Sequence, residues 1–378
     1  MIVDLPSTTT AQVAKKLVSL RSDTGSMALS RVLTLIVVVE EADAESAVAT
    51  ANDATRQHPS RIIVVVTANR RGVARLDGQI RIGGDAGASE VVVLRLYGPL
   101  AAHGQSVVMP LLLADSPIVT WWPVQAPKNP AADLIGAMAQ RRITDSSRTS
   151  GAPRTTLRRL ADAYAPGDTD LAWSRVTIWR GLLAAALDQP PFEKVTAATV
   201  VAAPDSPSGD LLAGWLAARL TCPVSLARSR AGSGVTSVRL ERASGTVDLV
   251  RPLDGNTALL GQPGQPDRTI ALPHRGDAEC LADELRRLDP DEVYREALTT
   301  GLAAVSRSRR TASEAVAAGI APSVAEAERT YRRLRRASST SASSAMVEKR
   351  PMPEKADDPG AVKQAAAAKL AAAQEERP

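Results

Sequence analysis

The first hundred residues alternate between continuous apolar runs and segments with helical spacing. The runs at Leu29–Val39 and Ile62–Thr67 predict buried strands, since strands of parallel sheets are covered on both faces. The small-residue segment Ala42–Gln57 between them predicts a helix that ends before Pro59. Two buried strands around a helix indicate a βαβ unit, and hence parallel strands joined by a right-handed crossover.

Three further segments complete the predicted first domain. Residues 8–20 carry apolar positions at helical spacing and predict a short amphipathic helix. Leu76–Ile82 and Glu90–Tyr97 show polar alternation around the glycine-containing loop 83–88. This pattern predicts an antiparallel hairpin at the edge of the sheet. Asn129–Gln140 is expected to be a helix.

Two adjacent tryptophans stand out in a chain that is only 3% aromatic. Ile118–Trp122 is a short apolar run that predicts a buried strand, and Pro123 ends its hydrogen bonding. Because neighbouring strand residues point to opposite faces, Trp121 and Trp122 enter different layers. One indole is then core, and the other is covered by a helix layer, a ligand or a partner. Both are therefore candidate structural or interface residues.

The second half repeats the α/β pattern. Its predicted strands and helices are a helix at 155–163, a helix at 170–187 with Asp170 as N-cap, a strand at 195–203, a helix at 207–220, a β-meander at 224–228, 235–242 and 247–252, and helices at 277–288 and 291–302. We predict an α/β fold with two domains, residues 1–150 and 151–302. Both are expected to have mostly parallel sheets with antiparallel edge hairpins.

The net charge of +5 comes from a single segment. Residues 302–336 contain eight arginines and three glutamates, whereas the charges of residues 1–301 balance. Low-complexity sequence follows, and such composition does not bury enough apolar surface to offset the entropy of chain ordering. We expect residues 303–378 to form a basic and then low-complexity tail that is largely disordered, with a marginal helix at Ala361–Arg377.

The motifs of common enzyme classes are absent from the sequence. It has no G-x-x-x-x-G-K-[ST] phosphate loop, no H-E-x-x-H and no G-x-S-x-G. The three histidines are far apart, so neither a metal nor a cofactor is expected. Cys222 and Cys280 form no paired motif and are expected to be small buried residues. Without a signal-peptide pattern or an apolar stretch of membrane length, the chain is expected to be cytoplasmic and not bound to a membrane.

The segment His58-Pro59-Ser60-Arg61 lies where the first crossover helix meets the second strand. It is at the amino end of that strand, whereas ligand sites of α/β sheets lie at the carboxyl ends. This position argues against catalysis. The segment either ends the helix, with His58 and Arg61 at the corner, or contacts a partner.

The helix that begins at Asp170 combines tryptophan with arginine, the residue types enriched at interface hot spots. Trp173 lies in its first turn, Arg175 and Trp179 are spaced i,i+4, and Arg180 follows. The helix is either a buried amphipathic helix whose charges face solvent or a surface for a partner.

Three segments together resemble the glucose-6-phosphate dehydrogenase assembly protein family (OpcA). They are His58–Arg61, the stretch from Leu111 to Pro123 that ends in Trp-Trp-Pro, and Asp170–Arg180, in this order. The resemblance covers about residues 1–300, and the Ala- and Arg-rich composition suits an actinobacterial, mycobacterial-type member. It implies a non-catalytic cytoplasmic protein that binds glucose-6-phosphate dehydrogenase, in the oxidative pentose phosphate pathway, and promotes its active oligomer.

The resemblance makes His58, Arg61, Arg175, Trp179 and Arg180 candidates for contact with the dehydrogenase. It implies no metal or nucleotide. The redox response associated with cysteines of photosynthetic relatives is not transferred, because the two thiols here lack paired spacing.

Two other functional classes stay open at this point. An uncharacterised α/β enzyme or small-molecule-binding protein is one, because catalytic groups from distant segments are invisible in a single sequence. Nucleic-acid binding through the arginine-rich tail is the other, and it is the less favoured because the folded body carries no excess charge.

Overall fold

The computed structural model describes residues 1–23, 32–56, 59–82, 89–252 and 256–347, without the side chains of 308, 309 and 337–347. The strands are β1 (Ile2–Leu5), β2 (Thr34–Glu40), β3 (Arg61–Thr67), β4 (Arg75–Arg81), β5 (Glu90–Tyr97), β6 (Ile118–Trp121), β7 (Arg141–Thr144), β8 (Asp168–Asp170), β9 (Ala197–Ala202), β10 (Val224–Arg228), β11 (Val235–Arg242), β12 (Gly245–Val250), β13 (Thr257–Gln262), β14 (Gln265–Ala271) and β15 (Ser306–Thr311). The helices are α1 (Thr10–Asp23), α2 (Ala44–Ala54), α3 (Gly104–Val108), α4 (Pro153–Asp162), α5 (Leu171–Ser174), α6 (Thr177–Leu187), α7 (Pro207–Leu220), α8 (Asp277–Leu285), α9 (Glu292–Glu296), α10 (Leu302–Ala304), α11 (Ala312–Ala317) and α12 (Val324–Val347), with a π-helical turn at Ala297–Gly301.

The first sheet has eight strands in the order β1-β4-β5-β3-β2-β6-β7-β8. The six strands from β5 to β8 in this order run parallel, and β4 and β1 add antiparallel pairs at one edge. The predicted βαβ unit is therefore present as β2-α2-β3, and the predicted hairpin is β4-β5. The structure adds β1, which the sequence did not indicate, outside β4.

Apolar side chains cover both faces of the first sheet. On one face, Leu35, Val37, Ile62 and their neighbours pack against α2 and α8. On the other face, Ile36, Ile63 and their neighbours pack against α1 and the segment around α3. Coverage on both faces explains why these strands read as continuous β-branched runs. It also shows that α8, from the second half of the chain, completes the core of the first sheet.

The second sheet has seven strands in the order β14-β13-β12-β11-β9-β10-β15. Strands β9, β10 and β15 are parallel, and β11 to β14 form an antiparallel meander. The main core lies between one face of this sheet and helices α4 to α7 and α9, around Trp173, Trp179 and Tyr294. The prediction of an α/β fold with two sheets is confirmed.

One close helix contact in this core depends on two glycines. A Cβ atom on Gly214 of α7 would lie 2.5 Å from the carbonyl oxygen of Ala297, and a Cβ on Gly301 would overlap the backbone of Gly214. Because neither position has a Cβ, α7 and the π-helical turn pack backbone against backbone.

Three expectations about individual elements are wrong. Residues 129–140 form turns and one 3-10 turn, Gly136–Met138, in place of an α-helix. Strand β10 is not part of the meander, because β9 lies between it and β11. The predicted helix at 170–187 is broken between α5 and α6, although Asp170 does cap its start by accepting a hydrogen bond from the Ala172 backbone N–H.

The expected disorder from residue 303 is also wrong for residues 303–329. Strand β15 pairs with β10, and Ala315 and Ala321 are buried against Val201 and Ala227 on the second face of the second sheet. A sheet edge supplies the backbone partners that this polar segment lacks by itself. Residues 348–378, including the predicted helix at 361–377, lie outside the described residues.

The division at residues 150 and 302 stays a prediction. Residues 1–329 form one compact unit and residues 330–378 a second, of which 330–347 are described as part of α12. In the described part of the chain, no helix has both the length and the apolar character needed to cross a membrane.

Candidate functional site

A buried polar cluster forms where β7 and β8 end. Asp170 is fully buried and accepts hydrogen bonds from the Thr144 hydroxyl, the Ser146 backbone and hydroxyl, and the Ala172 backbone. Burial, followed by the nearby charge of Asp145, raises the pKa of Asp170 to about 6. The cluster therefore holds a carboxyl group that this fold makes harder to ionise than a carboxyl group in water.

Arg175 connects this cluster to the start of α8. Its guanidinium donates to both carboxylate oxygens of Asp145, at 2.8 and 2.7 Å, and to Asp277 at 2.7 Å. Burial disfavours its charge, but the hydrogen bonds and charges of the two carboxylates outweigh burial and raise the pKa of Arg175. The residue predicted to contact a partner is thus held by two acidic groups of its own chain.

Trp173, Trp179 and Arg180 lie on α5 and α6. Both indoles are buried in the main core, and Trp173 donates its ring N–H to Asp291 at 2.8 Å. The Arg180 guanidinium stacks on the Trp173 ring, 3.5 Å from the ring centre, and donates to the Thr177 hydroxyl. Burial lowers the pKa of Arg180 to about 10. Of these three residues only Arg180 keeps a partly exposed side chain.

The corner before β3 is only partly described. Arg61 is buried, donates to the Leu111 carbonyl at 2.6 Å and lies 3.4 Å from the Glu90 carboxylate. His58 lies outside the described residues. In this structure Arg61 ties β3 to the segment after α3, which is a structural role.

Trp121 and Trp122 are each 2% exposed. Trp121 packs among the aliphatic residues under α2 and α8. A Cβ on Gly136 would lie 3.0 Å from the far edge of the Trp122 ring, so the segment 129–138 covers that indole. Both rings are therefore covered by the chain itself.

A cleft of about 520 Å³ lies at the carboxyl end of β9. Its rim is formed by the loop before α7, the loop 232–234 after β10, and residues 274–277 before α8. Arg175 and Trp179 lie in its wall, so this cleft adjoins two of the predicted contact residues. The loop 232–234, which the sequence indicates only as a turn, is one side of the cleft.

Arg251 lies in the same cleft and is 9% exposed. Its guanidinium donates to the Leu272 and Pro273 carbonyls and contacts Nδ1 of His274 at 3.3 Å. Its Nε has no hydrogen-bond partner, and no carboxylate of the described residues forms an ion pair with it. Burial lowers the pKa of Arg251 to about 10, and burial together with Arg251 lowers the pKa of His274.

A larger groove of about 850 Å³ lies elsewhere, near the start of α1 and the carboxyl ends of β3 and β5. Its lining includes a run of hydroxyl residues, Ser7 to Thr10, together with Arg75, whose guanidinium stacks on Tyr97 at 4.1 Å. None of the predicted contact residues lines this groove. Size alone therefore does not identify it as the functional site.

The outer face of α6 is exposed and consists of small residues. Thr177, Gly181, Ala184 and Ala185 face solvent, and a Cβ on Gly181 would meet no atom within 4 Å. Beyond the helix, the only phenylalanine of the chain, Phe192, is 79% exposed.

Sequence analysis missed Arg251, Asp277 and Phe192 as candidates. Arg251 and Asp277 gain their roles from strands and helices that meet only in the folded chain. Phe192 could have been found from the sequence. It directly follows Pro190-Pro191, which end a helix, so it does not belong to the buried face of one. Among the described residues no group of three or more His, Cys, Asp or Glu side chains could hold a metal ion.

Comparisons with known proteins bear mainly on the family. A solved structure described as trehalose-6-phosphate from E. coli bound with UDP-2-fluoro glucose aligns with 10% identity and a TM-score of 0.24, over 53% of this chain and 65% of that one. A likeness this low carries no information about fold or ligand. No curated protein matches at the required significance.

Two family models match successive parts of the chain. The model described as the glucose-6-phosphate dehydrogenase subunit N-terminal domain matches residues 51–162, and the model of the C-terminal domain of the same subunit matches residues 166–298. Together they cover more than half of the chain, in the order expected for one protein. The chain therefore belongs to the glucose-6-phosphate dehydrogenase assembly protein (OpcA) family.

Proposed function

We propose that this protein is a non-catalytic cytoplasmic subunit that binds glucose-6-phosphate dehydrogenase and promotes its active oligomer. The observation that carries the proposal is the match of both domain models, one after the other, across residues 51–298. The pathway served would be the oxidative pentose phosphate pathway, through the activity of the dehydrogenase.

We further propose that the contact surface consists of the outer face of α6, including Arg180 and Gly181, and of the segment after the helix that ends in Phe192. Small residues on an exposed helix face allow another backbone to approach closely. Aromatic residues, phenylalanine included, and arginine are enriched at protein–protein interfaces relative to the rest of the surface. Arg180 is the arginine of this surface: its side chain is partly exposed, although its guanidinium stacks on the buried Trp173 ring, and no carboxylate of the described residues forms an ion pair with it.

The other predicted contact residues enter this proposal differently. Arg61 and Trp179 are buried, so their contribution would be to hold β3 and α6 in place. Arg175 is mostly buried in its ion pairs, and its replacement would disturb the cluster at Asp145 and Asp277 as well as any partner contact. Arg180 is therefore the cleaner probe. His58 stays a candidate on the resemblance alone.

The direct experiment mixes the purified protein with its cognate dehydrogenase and records molecular mass and dehydrogenase activity together. We expect a larger assembly and a higher rate with both proteins, and no turnover by the assembly subunit alone. Turnover by the isolated protein would indicate an enzyme. If neither mass nor rate changes on mixing, the proposed function is wrong.

A steric variant tests the surface. Gly181→Trp places a bulky ring on the outer face of α6 without an internal clash, since that position is open. We expect it to fold and to raise the concentration for half-maximal activation by about 30-fold or more, the effect of losing about 2 kcal/mol at a hot spot. Gly181→Ala is the matched control and should activate like the parent. A folded Gly181→Trp variant with the activation curve of the parent would place the contact elsewhere.

A further inference from the structure

We propose that the cleft between α7, the loop 232–234 and residues 274–277 binds a small sugar phosphate, with the phosphate group near Arg251. This site is separate from the outer face of α6. Its test needs no dehydrogenase, so the proposal stands or falls independently of the proposed function.

The buried charge of Arg251 is the first reason. Removing a guanidinium from water is costly unless an opposite charge compensates it. The carbonyl partners of Arg251 satisfy part of its hydrogen bonding, and its guanidinium lies over the Trp179 ring, 5.1 Å from the ring centre. Its Nε has no hydrogen-bond partner, and no carboxylate of the described residues forms an ion pair with it. A phosphate in the cleft would supply the missing negative charge, and arginine is the side chain best suited to hold it.

The start of α7 is the second reason. This helix has 14 residues, and its first turn, from the N-cap Ser206 onward, lines the cleft. The N-terminus of a helix carries a partial positive charge, which favours an anion. Here Pro207 has no N–H and the Gly209 N–H is capped by Ser206, so α7 contributes mainly its dipole. It follows the carboxyl end of β9, the edge at which parallel strands place ligands. Arg251 reaches the same cleft from the end of β12, an independent part of the fold.

Two carboxylates of the cleft oppose an anion, and both have partners. Asp205 accepts the Gly232 backbone N–H through both oxygens at 3.1 Å, which fixes the loop after β10. Asp277 is paired with Arg175 and lies 3.3 Å from Arg148. Arg251 is the arginine of the lining that pairs with no carboxylate of the described residues, so the negative charge of a ligand is expected on its side of the cleft.

The size and the lining residues of the cleft indicate what kind of molecule carries the phosphate group. Its volume of about 520 Å³ is within the range of small-molecule sites, about 300–1,000 Å³. The lining contains four serine hydroxyl groups, each with at least one partner in the chain and capacity for a further hydrogen bond to a polyhydroxylated ligand: Ser147, Ser206, Ser208 and Ser233. Trp179 is the one aromatic residue of the lining apart from His274, and it is 1% exposed, so it offers no face for stacking a nucleobase. These features favour a sugar phosphate over a nucleotide.

Calorimetric titration of the full chain with glucose 6-phosphate tests the site, with glucose and inorganic phosphate as the two halves of the probe. We expect saturable binding of glucose 6-phosphate, weaker binding of phosphate and none of glucose. Arg251→Gln should weaken binding by at least about tenfold, the effect of a lost charge-assisted hydrogen bond. Arg219→Gln, the same charge change at the far end of α7, should bind like the parent.

A second variant keeps the test valid if Arg251→Gln fails to fold. Asp205 is exposed, and Asp205→Asn keeps an oxygen for the Gly232 N–H while removing a negative charge from the rim. It should bind glucose 6-phosphate more tightly than the parent. The proposal is overturned if the parent shows no saturable binding, if glucose binds as well as its phosphate, or if Arg219→Gln weakens binding as much as Arg251→Gln. An Asp205→Asn variant that binds no tighter than the parent would also contradict it.

Discussion

The two sheets of this protein are covered in different ways. Both faces of the first sheet carry large aliphatic clusters, one under α2 and α8 and the other under α1 and the segment around α3. The second sheet has one large core, which contains Trp173 and Trp179, but its other face is covered by small residues around Ala315 and Ala321. The first sheet is thus buried between two aliphatic layers. The second sheet has a large core on one face and only the small cluster around Ala315 and Ala321 on the other, which we call the thin face.

This difference shows how strongly the second sheet depends on the end of the folded body. Its thin face and its edge next to β10 are both completed by residues 306–327. Arg307 of β15 also pairs with Asp210, which is buried at the start of α7, at 2.8 Å. A segment with little apolar surface of its own therefore covers the thin face, pairs with the edge strand β10 and supplies a cation for Asp210.

Ending the chain at residue 302 should have the largest effect on stability. It exposes β10, opens the thin face and leaves Asp210 with Arg154 as its remaining cation, at 3.6 Å. Because Arg307 is 37% exposed and Arg154 remains near Asp210, the lost ion pair costs less than the roughly 3–5 kcal/mol of a fully buried pair. Together with the opened face of the sheet, we expect a loss of about 3–5 kcal/mol in all. Chemical denaturation measures it. A chain ending at Val347 keeps every described element and is the control; equal stability of the two would show that the thin face needs no cover.

Replacing a tryptophan tests the first sheet by itself. Trp121→Ala should cost about 3–5 kcal/mol, because it removes a large ring from a packed aliphatic face. Trp122→Ala should cost less, because the segment 129–138 that covers this ring lacks regular helix and can collapse into the space. Denaturant midpoints of the two variants provide the comparison. A larger loss for Trp122→Ala would mean that the cover made by residues 129–138 is as rigid as a helix.

Local pattern predicted the first sheet better than the second. Runs such as Ile62–Thr67 report burial on both faces directly, and α7 was predicted with its full bounds. The meander was assigned to neighbouring segments, but β9 inserts between β10 and β11, an order that depends on contacts distant in sequence. Strand β15 could not be predicted, because Ser306–Thr311 is polar and takes its structure from the edge of β10.

The site was predictable only in its local parts. Asp170 was identified as a helix cap, and that assignment is confirmed by its bond to Ala172. The raised pKa of its carboxyl group was not visible, because both the burial of Asp170 and the approach of Asp145 from the end of β7 result from the tertiary fold. That Arg251 pairs with no carboxylate of the described residues was equally hidden, since the ion pairs of an arginine depend on which segments meet in the fold.

Asp170, where the last strand of the first sheet meets α5, should make the stability of the protein depend on pH. Its pKa in the folded protein, about 6, lies above its ordinary value of 3.8, so its stabilising contribution is full below about pH 4 and is lost as the pH rises through 6. The difference amounts to about 3 kcal/mol at most. We expect Asp170→Asn, which does not titrate, to remove a fall in stability of the parent between about pH 4 and 6. Parallel pH profiles for parent and variant would show that Asp170 ionises in the fold at no cost.

The smallest expected change in stability comes from two glycine substitutions, one on the exposed face of α6 and one in the packed core of the second half. Gly181 and Gly214 both lie inside helices, but a Cβ would meet nothing at Gly181 and would lie 2.5 Å from the Ala297 carbonyl oxygen at Gly214. Because alanine is the better helix former by about 1 kcal/mol, Gly181→Ala should stabilise the protein by about 0.5–1 kcal/mol.

Gly214→Ala gains the same propensity but must push α7 away from the π-helical turn, so its net effect should be destabilising. Thermal unfolding of the two variants measures the opposite signs. If both substitutions stabilise the protein, the backbone contact between α7 and residues 297–301 yields easily, and the packed core of the second half is looser than its burial indicates. If both destabilise it, the outer face of α6 is constrained by something other than its own helix.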